Sequence, residues 1–373
     1  MIYFDNAATS RFKPKTVLDA LNFDILHSAN SGRSGHDDAI EKSIRIESCR
    51  NLLLKVLKGE NTHDLIFTKN CTEALNLAIF GMIKGGERIV TCDNEHNSVL
   101  RPLFHLANEG KIKLTVIRAK EDGKIDLVAL NSFAEQTDIF VLGGACNVTG
   151  ATLDLYEVGK IAKENKVKLI VDGAQSVPYC DLNLDEYNIS ALACSGHKGL
   201  HGIQGTGFLA KRKDLTLKPL LYGGTGTRSQ ELLQGFESPD SYEAGTLFSG
   251  GIAALEEGAK WSYEKLDFIK NNIDRLSKNI ICNLKSIGAT IYTNETKCGV
   301  VSFNLKDLDS AYVVDILNEN GIAVRAGLHC APLVHKRLGT LTQGAVRVSV
   351  GCDNTDKDVL TLSKVLEQIV RKI

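Results

Sequence analysis

Between about Leu65 and Leu209, short apolar runs alternate with stretches whose apolar residues recur at helical spacing. The runs are DLIFT, ERIVTC, KLTVIRA, DIFVLGG, VKLIVDG, ALACSG and GTGFLAK. Unbroken apolar strands separated by helical segments predict an α/β fold, with a mainly parallel seven-stranded sheet covered by helices. Ligands of such sheets bind beyond the carboxyl ends of the strands. Polar residues collect there: His96 follows ERIVTC, Asn147 follows DIFVLGGAC, Asp172 closes VKLIVD and Lys198 follows ALACSG. From about Ile252 to Ile287 the helical spacing continues without a proline, predicting a long helix that links two domains. Beyond it, GVVSFNL, IAVRAG and AVRVSVG read as strands, with SAYVVDILNENG and DVLTLSKVLEQIVRKI as helices, the pattern of a smaller α+β C-terminal domain.

Composition narrows the class. The 373 residues are 43% hydrophobic and 24% charged, which suits one large globular domain plus a smaller one. A net charge of -1 supplies no field to draw nucleic acid or an anionic membrane. No window has membrane-spanning length and the first residues, MIYFDNAATS, lack a basic, apolar leader, so a cytoplasmic protein is expected. Ten cysteines are scattered without a C-x-x-C pair, so neither a disulfide framework nor a metal site is expected.

GIQGTGF and YGGTGTRS lack the spacing of dinucleotide-binding and P-loop motifs. A different phosphate cup is available at TKNCTEALNLAIFG, where Asn70, Cys71 and Thr72 precede a helical run. Free N–H groups at a helix start and a threonine hydroxyl suit a phosphate monoester, although an ordinary N-cap reads the same way. An acidic residue at a strand end can hold a protonated pyridine nitrogen, and a lysine can form a Schiff base with an aldehyde. Asp172 and Lys198, with Gln175, Asn147 and His96, therefore supply what pyridoxal phosphate requires. Each also has a plainer reading: Asp172 as a turn former, Lys198 as a solvated charge, His96 as a satisfied polar residue.

The segments FDNAATS, NEHNSVLRP, VDGAQS, SGHKGLHG, EAGT and RAGLHCAPL occur in the order found in class V aminotransferase-fold enzymes, and the chain resembles the Suf-type cysteine desulfurases among them along its whole length. The resemblance implies a fold type I pyridoxal phosphate enzyme. Its large domain would span 16–263, and residues 1–15 and 264–373 would form a small domain carrying the catalytic cysteine. It implies that Lys198 carries the cofactor, that Asp172 faces the pyridine nitrogen and that His96 stacks on the ring. Gln175 and Asn147 would lie near the ring hydroxyl and the substrate. Thr72, Ser195, His197 and the Cys71 backbone would hold the phosphate. Thr246 would reach the phosphate of a neighbouring subunit, which implies a homodimer. The small residues around Lys198 would let the cofactor approach the backbone.

Two further residues bear on substrate chemistry. In AVRVSVG, alternation would set Val346, Val348 and Val350 on one face, leaving Arg347 on the other, either as an exposed strand arginine or as a fork for an amino-acid carboxylate. Cys330, in RAGLHCAPL, is either a buried free thiol or a nucleophile whose thiolate Arg325 and His329 favour. The resemblance implies that Cys330 takes sulfur from L-cysteine as a persulfide, releasing L-alanine, with His96 as proton donor or acceptor and a thiol or acceptor protein downstream. Leu328 stands where many Suf-type relatives have a second histidine, so a selenocysteine lyase acting on L-selenocysteine stays open as the alternative. An aminotransferase is the third reading on the same fold.

Overall fold

A computed structural model describes residues 1–32 and 34–372. Arg33, in the NSGRSGH segment, was given no role by the sequence and lies outside the described residues. The chain opens with β1 (Ile2–Tyr3), α1 (Lys15–Leu26) and α2 (Asp37–Val56). The expected alternation follows as β2 (His63–Thr68), α3 (Cys71–Met82), β3 (Glu87–Cys92), α4 (Asn97–Asn108), β4 (Ile112–Ile117) and α5 (Leu127–Ala134). It continues through β5 (Ile139–Gly143), α6 (Leu155–Glu164), β6 (Lys168–Asp172), β7 (Ala191–Ser195) and β8 (Gly207–Arg212). These seven strands, β2 to β8, form one sheet in the order β2-β8-β7-β6-β5-β3-β4. Only β8 runs against its neighbours β2 and β7, so β2, β3, β5, β6 and β7 all end on the same edge.

Both faces of the sheet are dry, which is why its strands read as apolar runs rather than alternating ones. Phe140, Leu142, Leu169 and Val171 pack into a cluster with α2 and α6, while Ile139, Val141 and Ile170 join α3 and α4 on the other side. Successive side chains thus anchor the strands from opposite faces.

Past the sheet come α7 (Ser249–Glu264) and α8 (Leu266–Ser286). The single helix expected over 252–287 is two, interrupted at Lys265, whose φ of -105° and ψ of 12° leave the helical well. The reason is tertiary: α7 buries Ile252 and Leu255 in the core beneath the sheet, whereas α8 buries Ile269, Ile273 and Leu276 in a different one. That second core also holds Phe4 and residues of β10 (Val300–Asn304), α9 (Ser310–Glu319), β12 (Val346–Ser349) and α11 (Asp356–Arg371). β12 and β9 (Thr290–Ile291) flank β10 in an antiparallel sheet.

IAVRAG is strand-like only as β11 (Ile322–Ala323), which pairs with β1 in parallel. Arg325 then makes a lone bridge to Arg347, and Gly327, at φ +98°, turns the chain toward α10 (Pro332–Leu338). No described helix is long and apolar enough to cross a membrane.

Candidate active site

A cavity open to solvent lies where the five strand ends meet. It is lined by Cys71, Thr72, His96, Asn147, Asp172, Gln175, Ser195, His197 and Lys198, so nine of the predicted residues come together. Three do not line it. Cys330 and Arg347 approach through contacts described below, and Thr246 lines a separate hollow with Arg50 and Glu243. There Glu243 accepts from both Arg50 terminal nitrogens, at 2.9 and 3.1 Å, and from Phe67 N at 2.6 Å, which anchors the EAGT segment to α2 and β2.

Lys198 follows β7 in a turn pinned from the N-terminal segment: the His197 carbonyl accepts from Ser10 N at 3.0 Å and from Lys13 Nζ at 3.3 Å. Burial lowers the Lys198 pKa, opposed by the nearby Asp172 carboxylate. The small neighbours have a cause other than ligand approach. A Cβ on Gly196 would stand 2.2 Å from Thr206 Oγ1, and one on Gly199 2.4 Å from the Val177 carbonyl, so the protein's own packing demands them.

Asp172 closes β6 and is buried. Its Oδ1 accepts from the Ala174 backbone N–H at 2.9 Å and from the Cys71 thiol at 3.3 Å. Gln175 donates to the Ala7 carbonyl at 2.8 Å. His96 caps α4: its Nδ1 accepts from Ser98 N at 3.0 Å, so in the neutral ring the proton sits on Nε2. Burial, with the charges of Lys198, Arg325 and Arg347, pushes its pKa down against the pull of Asp172. His96 is therefore a neutral ring with one N–H to donate.

Also lining the cavity is the α3 N-terminus, capped by Asn70 and carrying Thr72, whose hydroxyl lies 2.8 Å from Ser98 Oγ. Ser195 Oγ and His197 Nδ1 are buried without a partner. His197 is pushed down to about 4 by burial and by Lys198 and Lys13, so it is neutral. Unpartnered polar atoms beside a helix N-terminus fit a phosphate monoester, and Asp172 opposite fits a pyridinium nitrogen. The residues present thus fit pyridoxal phosphate.

Arg347 is 1% exposed, since both faces of β12 are buried and not one as alternation implied. Its guanidinium donates to Asp5 Oδ1 at 2.9 Å and to the Asn147 carbonyl at 3.1 Å. Cys330 is exposed, and its carbonyl accepts from Asn97 N at 2.7 Å, one residue from His96. His329, beside it, is buried and pushed down to about 2 by burial first and then Arg347, so it is neutral and lends the thiol no positive charge.

Two residues of the site, Ser98 and Glu95, escaped the sequence reading, and Arg325 was named there only for its bearing on Cys330. Ser98 bridges His96 and Thr72. Half-buried Arg325 bears on both His96 and Arg347. Glu95 is 2% exposed and accepts from Gly143 N at 3.0 Å. Ser98 and Glu95 flank His96 in NEHNS, which was the available signal; nothing local marked Glu95 as buried.

Burial raises the Glu95 carboxyl to about 8, the Gly143 bond opposing it and Asp172 and Asp93 adding to it. The folded protein therefore keeps a proton there that the unfolded chain gives up near its ordinary carboxylate pKa. Stability from this group is full below that value and is lost as pH rises through about 8. Glu95→Gln is expected to stabilise the fold more at pH 8 than at pH 5, by a difference on the order of 3–5 kcal/mol, read as a larger rise in melting temperature at pH 8. A difference between the two proteins that did not change with pH would refute the protonated state.

A lysine and a carboxylate at neighbouring strand ends, with a phosphate cup across the cavity, define a pyridoxal phosphate enzyme on an α/β sheet. The chain belongs to the class-V aminotransferase family, whose model matches residues 2–362. Two relatives named as probable cysteine desulfurases stand near it. That of Pyrococcus abyssi is 33% identical, covering 100% of this chain and 95% of that protein. That of Borreliella burgdorferi is 30% identical, covering 99% and 92%. Among solved structures, the apo cysteine desulfurase from Thermococcus onnurineus superposes with a TM-score of 0.93 at 33% identity, covering 100% of this chain and 95% of that one.

Proposed function

We propose that the protein is a pyridoxal phosphate-dependent cysteine desulfurase. L-cysteine and the Cys330 thiol become L-alanine and a Cys330 persulfide: the substrate's carbon–sulfur bond breaks, a sulfur–sulfur bond forms, and the β-carbon gains a proton. The observation that carries this reading is the placement of Cys330. Seven of the ten cysteines are buried and Cys180 is half-buried; of the two exposed, Cys282 sits on α8, while Cys330 is held by the backbone next to His96.

Bound at Lys198, the cofactor supplies an electron sink for charge developing at the substrate's α-carbon. Lys198, whose burial favours the free amine, takes the α-proton. Asp172 holds the positive charge on the ring nitrogen, and the α3 N-terminus with Thr72, Ser195 and His197 retains the phosphate. His96 covers the ring as a neutral imidazole and offers its Nε2 proton. Arg347 receives the substrate carboxylate in exchange for Asp5, with half-buried Arg325 beside it. Asn147 and Gln175, which both line the cavity, lie near the ring hydroxyl and the substrate.

The separate apolar clusters support a large domain over 16–263 and a small one of 1–15 and 264–373. A homodimer is supported by a contiguous exposed stretch with Tyr222, Leu232, Leu233 and Phe236, and by Thr246, which lies outside this chain's own cavity. The free thiols suit a cytoplasmic enzyme that passes sulfur to a thiol or an acceptor protein.

Alanine release from L-cysteine and from L-selenocysteine, with a reducing thiol present, tests the reading. Substantial turnover of L-cysteine is expected. Turnover of L-selenocysteine alone would make the protein a selenocysteine lyase, and amino transfer to a keto acid without sulfide release would make it an aminotransferase.

A further inference from the structure

His329 and Cys330 are consecutive non-glycine residues in the left-handed region, at φ +50° and +58°. Side chains disfavour that conformation, so the pair persists only where its surroundings hold it. The pair is the centre of a turn closed by the Ala331 N–H to the Leu328 carbonyl at 2.9 Å, and the His329 ring donates to the Ala345 carbonyl at 3.1 Å; two more retaining bonds come from the sheet side of the site. Asn97 N donates to the Cys330 carbonyl at 2.7 Å, and Asn147 Nδ2 donates to the His329 carbonyl at 2.7 Å. Only the amide nitrogen can donate to a carbonyl, which decides which end of Asn147 faces the loop.

Asn147 is itself fixed. It is buried, and its carbonyl is held by Arg347 at 3.1 Å. Yet it also lines the cavity, where its Oδ1 has no partner. Its nitrogen carries two N–H groups, and the His329 carbonyl takes one of them. One side chain therefore touches both the ligand cavity and the backbone beside the exposed thiol.

We propose that Asn147 is a positioning residue for Cys330: its amide bond to the His329 carbonyl holds the left-handed His329–Cys330 pair, so that occupancy of the cavity and presentation of the thiol are coupled through this side chain. Linkage makes the coupling reciprocal: a cofactor that draws on the amide changes the loop, and a shifted loop changes the hold on the cofactor. The inference rests on Cys330 being the nucleophile of the proposed reaction.

The test uses no L-cysteine, so its failure is distinct from failure of the desulfurase reading. Iodoacetamide alkylation of Cys330 is followed by peptide mass spectrometry in wild type, Asn147→Asp and Asn147→Ala, each cofactor-free and saturated with pyridoxal phosphate. Cys282 alkylation in the same samples reports on integrity of the fold. In wild type, cofactor is expected to change the Cys330 rate about fivefold. In cofactor-free variants the rate should differ from wild type by about fivefold, with Cys282 unchanged, and added cofactor should have little further effect. Cofactor-free variants that alkylate like wild type would show that Asn147 serves the cofactor alone. A cofactor effect that survives in the variants would also overturn the proposal, because the coupling would then run elsewhere. Should neither variant fold, a wild-type rate indifferent to cofactor would overturn it too.

Discussion

Lys198→Ala is expected to abolish alanine formation from L-cysteine, by at least ~10³-fold, because one amine both carries the cofactor and moves the α-proton. Borohydride reduction of the wild type should fix the cofactor on the peptide containing Lys198, and the variant should yield no such adduct. The variant should nevertheless fold at least as well. Burial disfavours this ammonium, so its removal relieves a desolvation cost that the site accepts for function. Residual activity above a tenth of wild type, or a trapped adduct on another lysine, would remove Lys198 from its role. A large drop in melting temperature would instead show that the lysine supports the fold.

Cys330→Ser should reduce L-cysteine turnover by at least ~10²-fold, since a hydroxyl does not replace a thiolate in attack on sulfur. The two losses differ in kind. In Cys330→Ser the absorption of the bound cofactor and the response to added L-cysteine should remain, because the side chain is exposed and does not line the cavity. Wild type treated with L-cysteine in the absence of reductant should show the Cys330 peptide heavier by one sulfur atom, and the variant none. Full activity in Cys330→Ser would exclude the persulfide route. Full activity toward L-selenocysteine alone would assign the cysteine to sulfur chemistry only.

Much of the site was legible in the sequence because fold type I chemistry sits at strand ends, and strand ends are local features. Apolar runs closed by Asp172, or followed by His96, Asn147 and Lys198, gave up their positions to simple periodicity. The helix start at Asn70 was legible for the same reason, since Asn70 caps its helix through contacts within a few residues. Failures occurred where a residue's role depends on what packs against it. Arg347 stands on a strand with the expected alternation, but Asp5, from the other end of the chain, takes its guanidinium. The helical run over 252–287 carries the right spacing throughout, and only the existence of two cores explains its break at Lys265.

By itself, the sequence determined the sheet, the alternation of its helices and the residues that ring the cavity, because the periods of strands and helices and the residues that end them are short-range properties. The tertiary structure alone decided that Glu95 keeps its proton, that His329 is neutral, and that glycines beside Lys198 answer to Thr206 and Val177. It alone carried Cys330 to the helix capped by His96 and hung its loop on Asn147. Burial and hydrogen-bond partners are set by segments distant in the chain, and no local pattern encodes which of them will meet.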